Sequence, residues 1–181
     1  MGWTAGIGSR TPGSLKFMEI WDKSSEIITM GTTKQHGKKH KDEKSKIRKG
    51  AQMGVLNIRH PDIEEFIVAK QSQGRLTKFN LSVGITEGFM DAVKNNEMWE
   101  LKFPDVSSSN YKEEWNGDLK EWEGKGYPVE VYKKIKARTL WDKIMISTYN
   151  RNEPGVLFLD LANKFNIPTI SFIIIHLNFH N

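Results

Sequence analysis

Histidines and carboxylates are the residues to weigh first. The sequence contains no cysteine, so a thiolate metal site, a disulfide and a thiol nucleophile are all excluded within it. His36 and His40 are four apart, as are His176 and His180, a spacing that on a helix sets two imidazoles on one face for a metal ion. The first pair lies among lysines, whose charge opposes a cation, and the second lacks a nearby carboxylate to complete a set, so a metal centre is not expected. His60, directly before Pro61, reads as a turn residue rather than a base. Glu64 with Glu65, Glu113 with Glu114, and Asp160 are carboxylates that could do acid–base work. Adjacent glutamates on a helix point in different directions, however, and a solvated face is the plainer reading. Neither the GxSxG nucleophile elbow nor the GxxxxGK[ST] phosphate loop occurs.

The strongest local signal is charge. From Lys34 to Lys49, eight of sixteen residues are Lys or Arg, against Asp42 and Glu43 alone. Only Ile47 is apolar there, so no face can be buried and an exposed, solvated loop is expected over 31–49. Such a loop is either plain solvated surface or a binder of phosphates, on nucleotides or on nucleic acid. The tryptophans and phenylalanines are not interleaved with it as an RNA-stacking platform requires.

The elements that would position these residues follow from periodicity. Phe17, Ile20, Trp21, Ile27 and Ile28 recur at helical spacing, predicting a helix over Leu15–Thr29 started by Pro12 and Ser14. Gln52–Ile58 reads as a strand, His60–Asp62 as a turn, and the stretch from there to about Lys70 as a helix. Phe79–Ile85 is a strand, Glu87–Asn95 a short helix, and Met98–Phe103 a further strand. Asp105–Tyr127 is polar around Trp115 and Trp122, and reads as an excursion loop with at most one helical turn. Val129–Ile135 is a strand, Ala137–Tyr149 a helix, and Val156–Leu159 a strand after the Glu153–Gly155 turn. Alternating strands and helices predict an α/β fold with mostly parallel pairing.

The 181 residues are 38% hydrophobic and 27% charged, with a formal net charge of +5, which suits one soluble domain or part of one. The opening residues have neither the basic nor the apolar region of a secretory signal, and the longest apolar run, Ile167–Phe179, is too short to span a membrane. A cytoplasmic location is therefore expected. The run of elements begins and stops without a closing layer, and residues 167–181 change to an apolar composition. The expectation is a fragment over 1–166 followed by an unrelated apolar tail over 167–181.

Motif order carries the reading further. The run IRKGAQMGVLNIRHPDIEEFIVAK, Ile47 to Lys70, resembles a signature of the large, catalytic subunit of ribonucleotide reductase, in which a basic-Gly-Ala segment leads through a strand into an H-P-D-I-x-x-F helix. LTKFNLSVGITEGFMDAV, Leu76 to Val93, is similar to that family's N-x-S-V strand and F-M-x-A helix. WELKFPD, ARTLWDKIM and NEPGVLFLDLAN follow in the family's order, and AGIG with GSLKFMEIWDKSSEII precedes them in it. The resemblance covers about residues 3 to 166.

The resemblance implies a partial segment of the family's ten-stranded α/β barrel, incomplete on its own. It implies reduction of ribonucleoside di- or triphosphates to deoxyribonucleotides by radical chemistry, for DNA synthesis. In that family a cysteine thiyl radical takes the ribose 3′-hydrogen and two further cysteines supply electrons. On matching positions, Arg48 would be the loop arginine reaching a nucleotide, with Gln35, Lys49, Gly50 and Ala51 beside it; a guanidinium offers a planar fork of donors to phosphate or base edges. The resemblance further implies nucleotide substrate, ATP and dNTP effectors, and a diiron-type radical subunit or adenosylcobalamin. It also implies a homodimer formed through helix 15–29 and dependence on the remaining part of the large subunit. The lysine-rich GKKHKDEKSK lengthens the loop relative to the family, and the sequence stops matching before the Asn-x-Cys-x-Glu segment. No catalytic residue is therefore assigned, no cofactor is expected to be held by this stretch, and inactivity in isolation is expected. The rival reading is a non-enzymatic basic module that holds nucleic acid or nucleotides through Lys34–Lys49.

Overall fold

A computed structural model of the chain describes residues 12–34 and 51–165, the side chains of 29–34 and 163 excepted. Its first element, α1 (Ser14–Lys34), outruns the expected helix by about a turn at its C-terminal end. β1 (Gln52–Asn57), β2 (Phe79–Ile85) and β5 (Gly155–Phe158) form a parallel sheet in the order β1-β2-β5. Gln52 lies opposite Phe79, and Ser82 opposite Gly155. The crossovers that parallel pairing demands are supplied by α2 (Ile63–Val68) between β1 and β2, and by α3 (Glu87–Lys94) and α6 (Ala137–Arg151) between β2 and β5. α7 (Leu159–Phe165) follows β5 directly.

β2 is the central strand, and every residue of it except Asn80 is buried. Phe79, Leu81, Val83 and Ile85 project from one face into a single core with Ile58, Phe66, Ile67, Phe89, Leu140 and Ile144 of the surrounding helices. α3 starts where Thr86 Oγ1 accepts a hydrogen bond from the Phe89 amide at 3.3 Å. α6 ends where Asn152 takes the left-handed conformation (φ 59°). Ser147 ties α6 to α2, donating to the Ile67 carbonyl at 2.7 Å while Gln71 donates to its oxygen at 2.7 Å.

α1 runs antiparallel to β1 on this core face. Ser14 at its start meets Asp62 beyond the end of β1, and Ser25 accepts a hydrogen bond from Gln52 at the beginning of that strand. Gly54 permits the approach: a Cβ there would lie 2.6 Å from the Met18 methyl and 3.3 Å from Leu81.

Three expectations are corrected. β3 (Met98–Pro104) and β4 (Val129–Lys136) are antiparallel, a hairpin apart from the parallel sheet, because the chain returns without a crossover helix between them. The stretch 105–127 is not a plain loop but holds α4 (Tyr111–Glu114) and α5 (Leu119–Gly124). Trp122 is only 2% exposed there, its indole donating to the Pro128 carbonyl at 2.9 Å. Trp115 stands edge-on to it at 5.8 Å, and Tyr127 lies 4.7 Å away. Lastly, α2 stops at Val68 rather than running to Lys70. Lys70 turns instead to pair with Glu153 at 2.7 Å, which also accepts the Leu81 amide at 3.3 Å, closing the N-terminal end of the sheet.

Candidate functional site

The expected nucleotide-contacting residues Gln35, Arg48, Lys49 and Gly50 lie outside the described residues, as do the pairs His36/His40 and His176/His180 and the apolar run 167–181. Ala51 is described: it is exposed and stands immediately before β1. The geometry on the page is thus that of the loop's two attachment points, Lys34 at the end of α1 and Ala51 at the head of β1.

Both are held by polar contacts along α1. Its N-terminus has no capping carboxylate of its own in the first turn. Asp62, 7% exposed and 48 residues away, supplies the cap: Oδ2 accepts from the Ser14 amide and from its hydroxyl, each at 3.0 Å. Burial pushes the Asp62 carboxyl up, but the Ser14 hydrogen bonds and the neighbouring His60 outweigh it and hold the group below its ordinary value. His60 is a turn residue as expected, with Nδ1 accepting the Asp62 amide at 3.0 Å and its ring edge-on to Phe103. Further along, Asp22 accepts the Lys78 amide at 2.6 Å and Glu19 accepts from Arg75 at 2.7 Å. Between α1 and residues 73–78 runs a groove of about 430 Å³. Its cations are engaged: Arg75 with Glu19 and Glu65, Lys23 with Glu26. This groove fixes α1 rather than offering free charge to an anion.

The candidate acid–base carboxylates are likewise committed. Glu64 is bound by Lys133 and also by Lys143 at 3.2 Å. The Lys133 hydrogen bond, opposed by partial burial, holds its pKa below the usual range. Glu65 pairs with Arg75 and Glu114 with Lys125; Asp160 accepts the Glu87 amide at the start of α3. Every carboxylate whose pKa is displaced among the described residues is displaced downward, the wrong direction for a general acid near neutrality. No cluster of three metal-ligating side chains occurs among the described residues. A second cavity, about 260 Å³, lies where the Arg59 guanidinium sits 4.2 Å above the Trp99 ring. Sequence reasoning missed Asp62 as a cap, because nothing local marks a contact made across 48 residues.

The described elements define a class: a segment of an α/β sheet with its helices on one face and no closed barrel of its own. The family model for the ribonucleotide reductase barrel domain matches residues 3–172, and the chain belongs to that family. It is 34% identical over 167 residues to the vitamin B12-dependent ribonucleoside-diphosphate reductase of Thermoplasma acidophilum, covering 92% of this chain and 17% of that protein. Against the protein of the same description from Mycobacterium tuberculosis (strain CDC 1551 / Oshkosh), identity is 29%, over 90% of this chain and 18% of the relative. The ribonucleoside-diphosphate reductase subunit alpha of Chlamydia pneumoniae is 25% identical, over 87% of this chain and 15% of the relative. The chain therefore spans under a fifth of the length of these relatives. No helix among the described residues is long and apolar enough to cross a membrane.

Proposed function

We propose that this chain supplies one stretch of the barrel of a ribonucleotide reductase large subunit and is inactive without the remainder. One observation carries the reading. The outer sides of β1 and β5 are unpaired among the described residues, in a chain that the barrel-domain family matches over 3–172 and that spans 17% of a relative. Strands of a closed barrel are paired on both sides, so two open edges call for more strands from the same subunit.

In this reading the loop 31–49 reads a nucleotide, substrate or ATP/dNTP effector, with Arg48 as the principal donor and Gln35, Lys49, Gly50 and Ala51 beside it. α1 pairs across a homodimer, and the exposed Ile20, Ile27 and Ile28 on its outer side support that role. The substrate is a ribonucleoside diphosphate, in line with the relatives' descriptions. The radical and redox cysteines come from outside this sequence, which has none. The vitamin B12 dependence in two relatives' names favours adenosylcobalamin over a diiron subunit for the whole enzyme. The described residues do not fit that cofactor: the single histidine among them, His60, is engaged by the Asp62 amide and Phe103, so no step is assigned to it.

The test is co-expression with the remaining segments of a reductase large subunit and an assay of ribonucleotide reduction. Turnover should be absent for the chain alone, appear with the complement, and lose its effector dependence in Arg48→Ala. A chain that stays soluble and monomeric, with the complement restoring nothing, overturns the reading. Binding that is indifferent to the nucleotide and falls steeply with salt would instead mark the Lys34–Lys49 stretch as a nucleic-acid contact.

A further inference from the structure

Asn80 is the anomaly of the sheet. β2 is its central strand, paired on both sides, and Asn80 is the only exposed residue in it. Asparagine is disfavoured in strands because its side chain competes for backbone hydrogen bonds, and a central position offers no relief. The structure repays none of this locally: among the described residues the Asn80 side chain takes part in no hydrogen bond. Alternation puts it on the face opposite the core helices, with Ser82 and Gly84. That face is built small and polar. Gly155 is paired with Ser82, and a Cβ on it would come within 3.1 Å of the Ser82 hydroxyl. Asn57 ends β1 opposite Gly84, and Met53 lies directly opposite Asn80. Lumen faces of α/β barrels are ordinarily packed with branched apolar residues in layers. A central strand that presents Asn-x-Ser-x-Gly leaves a space lined by an amide and a hydroxyl.

We propose that Asn80 is a nucleotide-contacting residue, its carboxamide donating to and accepting from a base edge or ribose hydroxyl of a ribonucleotide held on this face. The inference rests on the reductase reading above and adds a residue to it. A carboxamide offers a donor and an acceptor side by side, which suits the neighbouring donor and acceptor of a base edge. The face carries no lysine or arginine at Met53, Val55, Asn57, Asn80, Ser82 or Gly84. It therefore recognises the nucleoside and not the phosphates.

The experiment is titration of the full chain with ADP, CDP and inorganic pyrophosphate. Binding is followed by calorimetry and by the Asn80 side-chain NH₂ resonances. Asn80→Ala should weaken the nucleoside diphosphates about tenfold, the size of one well-made amide pair, and leave pyrophosphate unchanged. Asn80→Asp keeps the shape and loses the donor, and should weaken them similarly; it also provides a second variant should the alanine protein not fold. Unshifted Asn80 resonances, with both variants binding ADP and CDP like the parent, overturn the proposal while the reductase reading stands. If the parent chain binds none of the three, the reading of its loop as nucleotide-binding falls and this inference falls with it.

Discussion

The parallel sheet and the β3–β4 hairpin both bury large aromatic side chains, but by opposite routes. In the sheet, Phe66 and Phe89 are buried by partners far away in sequence, and Ser14, Gln71 and Lys70 make polar contacts with residues 48, 76 and 83 positions distant. In the hairpin, Phe103, Tyr111, Trp115, Trp122 and Tyr127 meet one another within 25 positions. The hairpin nucleus closes on itself, whereas the sheet keeps two open edges and an uncovered polar face. Local closure makes a region indifferent to what surrounds it, and long-range closure makes it depend on the whole.

Matched truncations should separate the two. Phe66→Ala opens a cavity under the central sheet and should cost about 3–5 kcal/mol, lowering the urea midpoint of the whole chain. Trp122→Ala removes more side chain, yet its effect should stay local. Hydrogen exchange over 105–127 should lose protection while the β2 amides keep theirs. If Trp122→Ala strips protection from β2 as well, the hairpin is not the independent region described.

Next in size is the cap on α1. Asp62→Ala leaves the Ser14 amide without its acceptor and should cost about 2 kcal/mol, since hydrogen bonds to a charged group are the strong ones. The same contact has a pH signature. The Asp62 pKa in the folded chain lies below its ordinary 3.8, so its contribution is fully present above that value. It is lost as pH falls through the lower folded-state value. Amide exchange at the start of α1 should therefore accelerate on acidification below about pH 4 in the parent. In Asp62→Asn this dependence should be absent. A parent whose α1 stays protected at pH 2 would show that the carboxylate is not what holds the helix.

How far these features were legible in sequence differs between the regions for the same physical reason. The strands and helices of the sheet announce themselves by period: Phe79, Leu81, Val83 and Ile85 alternate, and Leu140 and Ile144 recur at helical spacing. The aromatic nucleus has no period. Trp115 and Trp122 sit among Lys, Glu and Asn, and only folding the hairpin back brings them onto Phe103 and Tyr127, so a polar stretch conceals a core. The Ser14–Asp62 cap was hidden likewise, since Asp62 reads locally as a turn residue. Of the nucleotide-contacting residues named from family resemblance, only Ala51 falls among the described ones. Asn80 stood inside a motif used to recognise the family, and its exposure gave it a meaning that the motif alone does not carry.

The smallest effect expected bears on how the two regions are joined. Glu64 on α2 is bound by Lys133 on β4 and Lys143 on α6, making it an electrostatic tie between hairpin and sheet. Lys133 is half exposed, so solvent screens the pair strongly, and its share should be about 0.2–1 kcal/mol. A double-mutant cycle over Glu64→Gln and Lys133→Ala reads that coupling without the cost of either truncation alone. A value in this range means the tie is weak and the join rests on backbone and packing, chiefly the Lys102 amide donating to the Arg59 carbonyl at 2.8 Å and the Trp99 indole donating to the Ile58 carbonyl at 3.3 Å. A coupling of about 2 kcal/mol or more would exceed what exposed pairs deliver and would make Glu64 a structural bridge. The hairpin would then no longer count as independent of the sheet, and the Trp122→Ala result should spread into β2.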